Sequence, residues 1–255
     1  LQVKGTDELS SLAESVQKLN SRIKTAVTFA NTIGQGNLAA VYPEKYRNGM
    51  LEQALTRMHQ DLVKANNDRT NQNWIASGIG RINEVFRQQH QGLEECSSQL
   101  VSEMVKYLKA QMGGLFLLKQ QEQDTYLELT ACYAYSSNRH REKRVAPGHG
   151  LLGQTCLDGE PLYITDIPKD YFTVFSGLGN VQPACLFLIP LVFNEETVGV
   201  IEIASLARLQ EHEQQYCTKA AEVIAYFLLN YDRANEEEGH KKTGGENLRH
   251  ANVNI

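Results

Sequence analysis

The sequence has no apolar run near the roughly 20 residues that a membrane-spanning helix requires. Its longest run, Ala184 to Phe193, is strand-length and carries Pro190. The opening LQVKGTDELSSLAES is polar and amphipathic, and so does not read as a secretory leader. Leu1 stands where an initiating Met would, so the chain reads as a fragment, with room for a membrane span upstream. There is no Cys-x-x-Cys or His-x-x-x-His unit, and the seven histidines are isolated, so neither a metal site nor a cofactor is expected. Gly34-Gln-Gly36 lacks the third glycine and the preceding strand of a phosphate-binding loop. Nor does a phosphorylatable histidine accompany a kinase ATP site. Basic excess is missing too: a net charge of −5 argues against a dedicated nucleic-acid binder. Charge is uneven, about +3 over residues 1–90 and −8 over 91–255, which suggests a junction near residue 90. Five scattered cysteines, an odd number in apolar segments, read as reduced, buried thiols in a cytosolic setting.

What is present begins with a seam. Leu9, Leu12, Val16, Leu19, Ile23, Ala26, Ala30 and Ile33 alternate spacings of three and four, an unbroken heptad row. Single amphipathic helices show a broader stripe that drifts with the 3.6 period. A row this narrow buries itself against a copy of itself, so a parallel homodimer is expected. The row stops at Gly34-Gln-Gly36-Asn37, and an extended connector containing Pro43 follows. Heptad spacing resumes at Leu51, Leu55, Met58, Leu62 and Ala65. A connector of about a dozen residues lets both helices run parallel. The stretch Asn66–Asn73 has no apolar residue and interrupts the row, and Trp74 opens another apolar series at Ile75, Ile79, Ile82 and Phe86. Gly78 and Gly80 lie within it, each costing about 1 kcal/mol of helix propensity against Ala, so packing on a neighbour must hold it.

Ala30-Asn-Thr-Ile-Gly-Gln-Gly-Asn-Leu38 and Met50-Leu-Glu-Gln-Ala-Leu-Thr-Arg-Met58 resemble the helix–connector–helix pattern of HAMP domains, the relays of bacterial membrane receptors. Gly49 departs from the acidic residue such domains usually carry there. The resemblance implies the end of a preceding HAMP-like helix over 1–20, a HAMP domain over 21–66 and a signalling linker helix over 67–91. The expected association surface is Leu9, Leu12, Val16, Leu19, Ile23, Leu51, Leu55, Met58 and Leu62.

The remainder reads as α+β. An amphipathic helix over Gly92–Gln111, stopped by Gly113-Gly114, precedes strands at Leu115–Lys119 and Tyr126–Tyr135 and a polar loop over Ser136–Arg144. Then come a short helix between glycines at 148–159, a strand at Pro161–Ile164, and strands Cys185–Phe193 and Thr197–Ser205 around a tight turn at Asn194–Glu196. Pro190 suggests a bulge or a change of register. A final helix runs from Gln210 to about Asn230, and the charged tail 233–255 is expected to be disordered.

This order implies an antiparallel sheet flanked by helices. With Gly148-His-Gly-Leu-Leu-Gly153, Tyr163-Ile-Thr-Asp-Ile-Pro168 and the 189–203 hairpin, it resembles GAF domains over 92–232. The whole chain is then similar to the HAMP–GAF region of a bacterial membrane-bound sensor, of histidine-kinase or chemoreceptor type. That likeness implies the cytoplasmic portion of an inner-membrane protein, a homodimer without turnover of its own, feeding a downstream kinase or other output domain. GAF domains place a pocket between the sheet and the loop that here covers Ile167–Pro183. The residues that resemblance nominates for a small-molecule ligand are Tyr133, Tyr135, Asp166, Tyr171, Phe175 and Phe187. The same aromatics could instead fill the space, leaving a dimerisation scaffold. A third reading is thiol-based reduction of free methionine sulfoxide through Cys132, Cys156 and Cys185, which needs a stabilised thiolate and a resolving partner. The Asn-Lys-Phe-Asp-Glu series of cyclic-nucleotide binders and a bilin-anchoring Cys-His pair are both missing.

Overall fold

The computed structural model describes residues 5–43, 49–88, 92–121, 124–134, 144–167, 174–176 and 179–251, with backbone only for 5–8, 174–176, 179–181 and 232–251. Two compact units divide between Gln72 and Asn73, well before the charge junction near residue 90. The division falls inside a helix, and it lies six residues past the expected end of the HAMP segment.

The first unit contains α1 (Gly5–Gly34) and the opening part of α2 (Met50–Arg87). Its core is a small cluster of Phe29, Ile33 and Tyr42, with Leu38, Ala40 and Leu55 packed against it. Tyr42 meets Phe29 edge-on at 5.0 Å, and the His59 ring meets Phe29 at 5.4 Å. His59 Nε2 also lies 2.8 Å from the Leu38 carbonyl oxygen. Arg22 is ion-paired with Glu52 at 2.8 Å. The pairs Arg22–Glu52 and Phe29–His59 share an offset of 30 residues, so the two helices run in the same direction.

The stretch Asn66–Asn73 interrupts the apolar row without breaking α2, which runs through it into the expected linker helix. Loss of an apolar seam removes a packing surface, whereas Asn, Asp, Arg, Thr and Gln carry no backbone defect comparable to Pro.

The second unit is built on a six-stranded antiparallel sheet. Its strands are β1 (Met112–Gln121), β2 (Asp124–Tyr133), β3 (Arg144–Val145), β4 (Leu162–Ile164), β7 (Cys185–Phe193) and β8 (Glu196–Ser205), in the order β3-β2-β1-β8-β7-β4. A separate small hairpin pairs β5 (Val174–Ser176) with β6 (Gly179–Val181) where only a loop was expected. One face of the sheet is covered by α3 (Leu93–Leu108) and α5 (Glu211–Ala251), together with Ile75 and Ile82 of α2. The other face packs on α4 (Gly150–Asp158) through Leu152 and Cys156.

Two sequence expectations need correction. Lys109, at φ 54°, ends α3, so Gly113 and Gly114 are strand residues and not the helix stop. A Cβ at Gly113 would stand 2.5 Å from Val105 and 3.1 Å from Ile203, so its bareness lets α3 approach the sheet. The helix expected to finish near Asn230 continues in backbone to Ala251. That segment has no proline, and its charge alone does not stop it even with three glycines in the run. The irregularity expected at Pro190 is present: a register shift falls just after it, at Leu191/Val192. Pro190 itself lies beyond the Leu186–Leu188 stretch that pairs with β4, where its missing N–H costs no bond on that side.

The β7–β8 turn holds Asn194 and Glu195 at φ 50° and 67°, the left-handed pair of a two-residue hairpin. Asn tolerates that region and Glu does not. Glu195→Gly is therefore expected to stabilise the chain by about 0.5–1 kcal/mol, read as a rise in thermal midpoint of a few degrees.

Candidate functional site

Period-two alternation decides which strand residues share a face. On β7 and β8, Cys185, Phe187, Ile189, Ile201 and Ile203 face the α3/α5 side, and Leu186, Leu188, Val200 and Ala204 face the α4 side. Glu202 falls on the α4 side by the same parity. It lies beside Gly114 of β1 and Leu188 of β7, and Cys132 of β2 is the next residue beyond Gly114. One row across the sheet thus reads Cys132, Gly114, Glu202, Leu188, Leu162. Glu202 is 6% exposed, a carboxyl group set into the centre of an apolar surface. Burying a carboxyl group costs several kcal/mol unless partners offset it, and Glu202 does hold a polar interaction there. The sequence signal was legible, a lone acid within Val-Ile-Glu-Ile-Ala of a central strand, and the expectations from the sequence passed over it.

Of the nominated ligand residues, Phe187, Tyr133 and Asp166 have described side chains, and these three are not brought together. Phe187 is buried on the α3/α5 face, edge-on to Tyr163 at 5.6 Å. Tyr133 packs on that same face, with the Lys106 ammonium 6.0 Å from its ring centre. Asp166 is exposed, next to Ile167, which is buried in the α4-side core. Phe175 lies in β5, described in backbone only, and Tyr135 and Tyr171 lie outside the described residues. Phe187 is a core residue by parity, which a strand apolar on both faces conceals in the sequence, and Tyr133 is partly buried against the same core.

The cysteines divide likewise. Cys185 lies on the α3/α5 face, where its thiol donates to the Ala207 carbonyl at 3.2 Å, with the sheet between it and Cys156. Burial pushes the thiols of Cys96, Cys132, Cys156 and Cys217 up, and every cysteine is free. A raised thiol holds little thiolate near neutrality, which works against nucleophilic sulfur chemistry. Tyr163, beside Cys185, is pushed up to about 12 by burial and by that thiol, and its oxygen accepts the Leu209 N–H at 2.9 Å. Among the described residues, no group of three or more His, Cys, Asp or Glu side chains could hold a metal ion.

A second constellation lies where α2 meets the helix layer. Trp74, the sole tryptophan, stacks on Tyr107 at 4.5 Å and 28°. It meets His212 and Tyr216 edge-on at 4.9 and 5.5 Å. Arg81 lies over the Tyr107 ring and pairs with Glu103 at 3.0 Å. Further along, Phe86 stacks on Phe227 at 3.9 Å. An open polar groove of about 630 Å³ runs beside this contact, between α2 and α3, with Glu84, Ser98, Ser102 and Lys106 in its walls.

The third surface is the seam. Leu9, Leu12, Val16, Leu19, Ile23, Leu51, Met58 and Leu62 are all exposed, from 69% at Leu9 to 43% at Met58 and Leu62. Leu55 differs, being half-buried on the Phe29 cluster. Ala26 and Ile33 of the same heptad row are buried within the unit. Glu52 is buried beside the exposed row, its carboxyl held below the ordinary range by its own backbone N–H and then by Arg22.

Comparison with known proteins now adds to the geometry. A family model described as GAF domain matches residues 90–228, more than half of the sequence, and the chain belongs to that family. No curated protein matches it. Among solved structures, the GAF domain of a phosphoenolpyruvate-protein phosphotransferase from Coxiella burnetii is 19% identical, with a TM-score of 0.52 over 64% of this chain and 98% of that one. Its counterpart from Acinetobacter is 12% identical, with a TM-score of 0.51 over 64% and 95%. The A. aeolicus nlh2 GAF domain, in an inactive state, is 18% identical, with a TM-score of 0.50 over 63% and 99%. At such identities the likeness is one of fold.

Two glycines separate the packed face of α2 from the open one. A Cβ at Gly78 would stand 2.5 Å from the Tyr216 ring and 2.6 Å from the Tyr107 ring, whereas Gly80 has nothing within 4 Å. Gly80→Ala is expected to add up to about 1 kcal/mol of stability by helix propensity. Gly78→Ala is expected to lower the thermal midpoint despite the same gain. Thermal unfolding of the two variants side by side checks the contrast.

Proposed function

We propose that the chain is a relay and sensor of the HAMP–GAF kind, the cytoplasmic part of a receptor whose membrane span lies elsewhere. Two copies associate through the seam and pass conformational change along α2 to the GAF unit. The observation that carries this reading is the exposed apolar row on two helices that run in one direction, the second of which is also the helix packed into the GAF core. Large apolar side chains at strict heptad spacing are stable in water when a partner covers them. Among the described residues no helix is long and apolar enough to cross a membrane. The output, a kinase or another effector domain, would act on the far side of α5.

Within the GAF unit we assign small-molecule sensing to the α4-side face, with Glu202 as its polar anchor. Pockets of this kind combine an apolar lining with a few placed polar groups; Leu188 pairs directly with Glu202, and Phe116, Ile167 and Cys156 belong to the same α4-side apolar cluster. A ligand that donates to the carboxylate would gain a charge-assisted hydrogen bond, and with it orientation.

Sedimentation tests the first part. The chain is expected to run as a dimer and Ile23→Asp as a monomer, and a dimer retained by Ile23→Asp would remove the seam as the association surface. Ile23 suits the test better than Leu55, which is half-buried within its own unit.

Native mass spectrometry of protein purified from cells tests the second. A bound small molecule is expected, with occupancy reduced about tenfold or more in Glu202→Gln. A chain free of ligand would leave the GAF unit as a packed scaffold.

A further inference from the structure

Where α2 enters the GAF unit, its backbone carries an unusual contact. Tyr107 donates its hydroxyl proton to the Trp74 carbonyl at 2.6 Å. In a regular helix that carbonyl is the acceptor for the N–H four residues on, at Gly78. The Tyr107 ring also stands 2.6 Å from where a Cβ of Gly78 would be. One side chain of α3 therefore sits against both residues of a single rung of the α2 ladder, by its hydroxyl at Trp74 and by its ring at Gly78. The phenol ring stacks on Trp74, Tyr216 closes on Tyr107 at 5.1 Å, and both rings rest where Gly78 has no Cβ.

We propose that Tyr107 and Gly78 form a register lock that fixes α2 at one axial position on the GAF unit. The argument is geometric. Sliding a helix by one residue moves it about 1.5 Å and turns it about 100°, which brings the Cβ of Ser77 or Ile79 to the place that only a glycine can occupy. A slip of a full turn brings Trp74 or Ile82 there instead, both larger than the notch. Rotation and tilt of α2 as a body reach α3 and α5 through the rings; axial slip does not. The lock goes beyond the relay reading in naming the motion that is passed on, and its significance for signalling rests on that reading.

Amide hydrogen exchange on the full chain, with Trp74 fluorescence quenching by acrylamide, tests the lock. Tyr107→Phe keeps the stacked ring and loses the hydroxyl. It is expected to raise exchange over residues 74–82 by roughly fivefold, the factor that loss of one hydrogen bond implies, and to make Trp74 more quenchable. Exchange in β7 and β8 stays unchanged. Identical exchange and quenching in Tyr107→Phe would overturn the lock, and so would loosening spread evenly through the sheet, since that is the mark of a general packing role.

A second measurement separates the lock from the relay. Ile23→Asp is expected to alter exchange over Glu211–Leu228 in the parent chain and to do so at most half as strongly in the Tyr107→Phe background. An equal response in both backgrounds overturns the lock. No response in either overturns the relay and leaves the lock to be decided by the local loosening at 74–82.

Discussion

A sheet whose central strands are apolar on both faces cannot leave either face in water, and the second unit is organised by that constraint. β7 reads Cys-Leu-Phe-Leu-Ile-Pro-Leu-Val-Phe, and seven of its nine residues are buried. Removing such area from water contributes on the order of 25 cal/mol per Å², so both sides demand cover. The short α4 serves one side. The other takes α3, α5 and the end of α2, which is recruited as a third piece of the same layer through Ile75 and Ile82. The aromatic cluster at Trp74 follows from that recruitment, because a helix interrupted by two glycines has little intrinsic stability and keeps its place by packing.

Much of this was legible in the residues. The heptad row, the β7–β8 hairpin, the short helix between glycines and the α+β order all rest on periodicity or turn chemistry, which are local. What escaped was of three kinds. Face assignment within β7 failed because a run with no polar residue gives no parity, so Phe187 passed for a lining residue when it is core. The extent of α5 was missed because a charged run was read as an end, although residues 231–251 contain no proline. The functions of Gly78 and Gly113 could not be seen at all: each is bare because a ring or a branched side chain distant in sequence occupies the space.

Glu202 shows the opposite case, where the signal was present and a stronger habit outweighed it. Aromatic residues in a loop suggest a ligand cap, and the eye passes over one acid in Val-Ile-Glu-Ile-Ala. Burial ranks them differently. A carboxyl group in the middle of a sheet face incurs a cost that Leu or Val would not carry, whereas a buried phenylalanine such as Phe187 is ordinary core. Polar residues where apolar ones would be cheaper are the better guide to a binding surface.

The offset of 30 residues between α1 and α2 has a consequence for the segment that joins them. Met50 stands level with residue 20, so the chain leaving Gly34 must return some fourteen positions along the axis, about 21 Å. The 15 residues between the helices can reach roughly 50 Å when extended. The tether is more than twice as long as its span. Its length therefore leaves chain to spare, and spacing and tilt are set by packing in which the connector's own Leu38, Ala40 and Tyr42 take part.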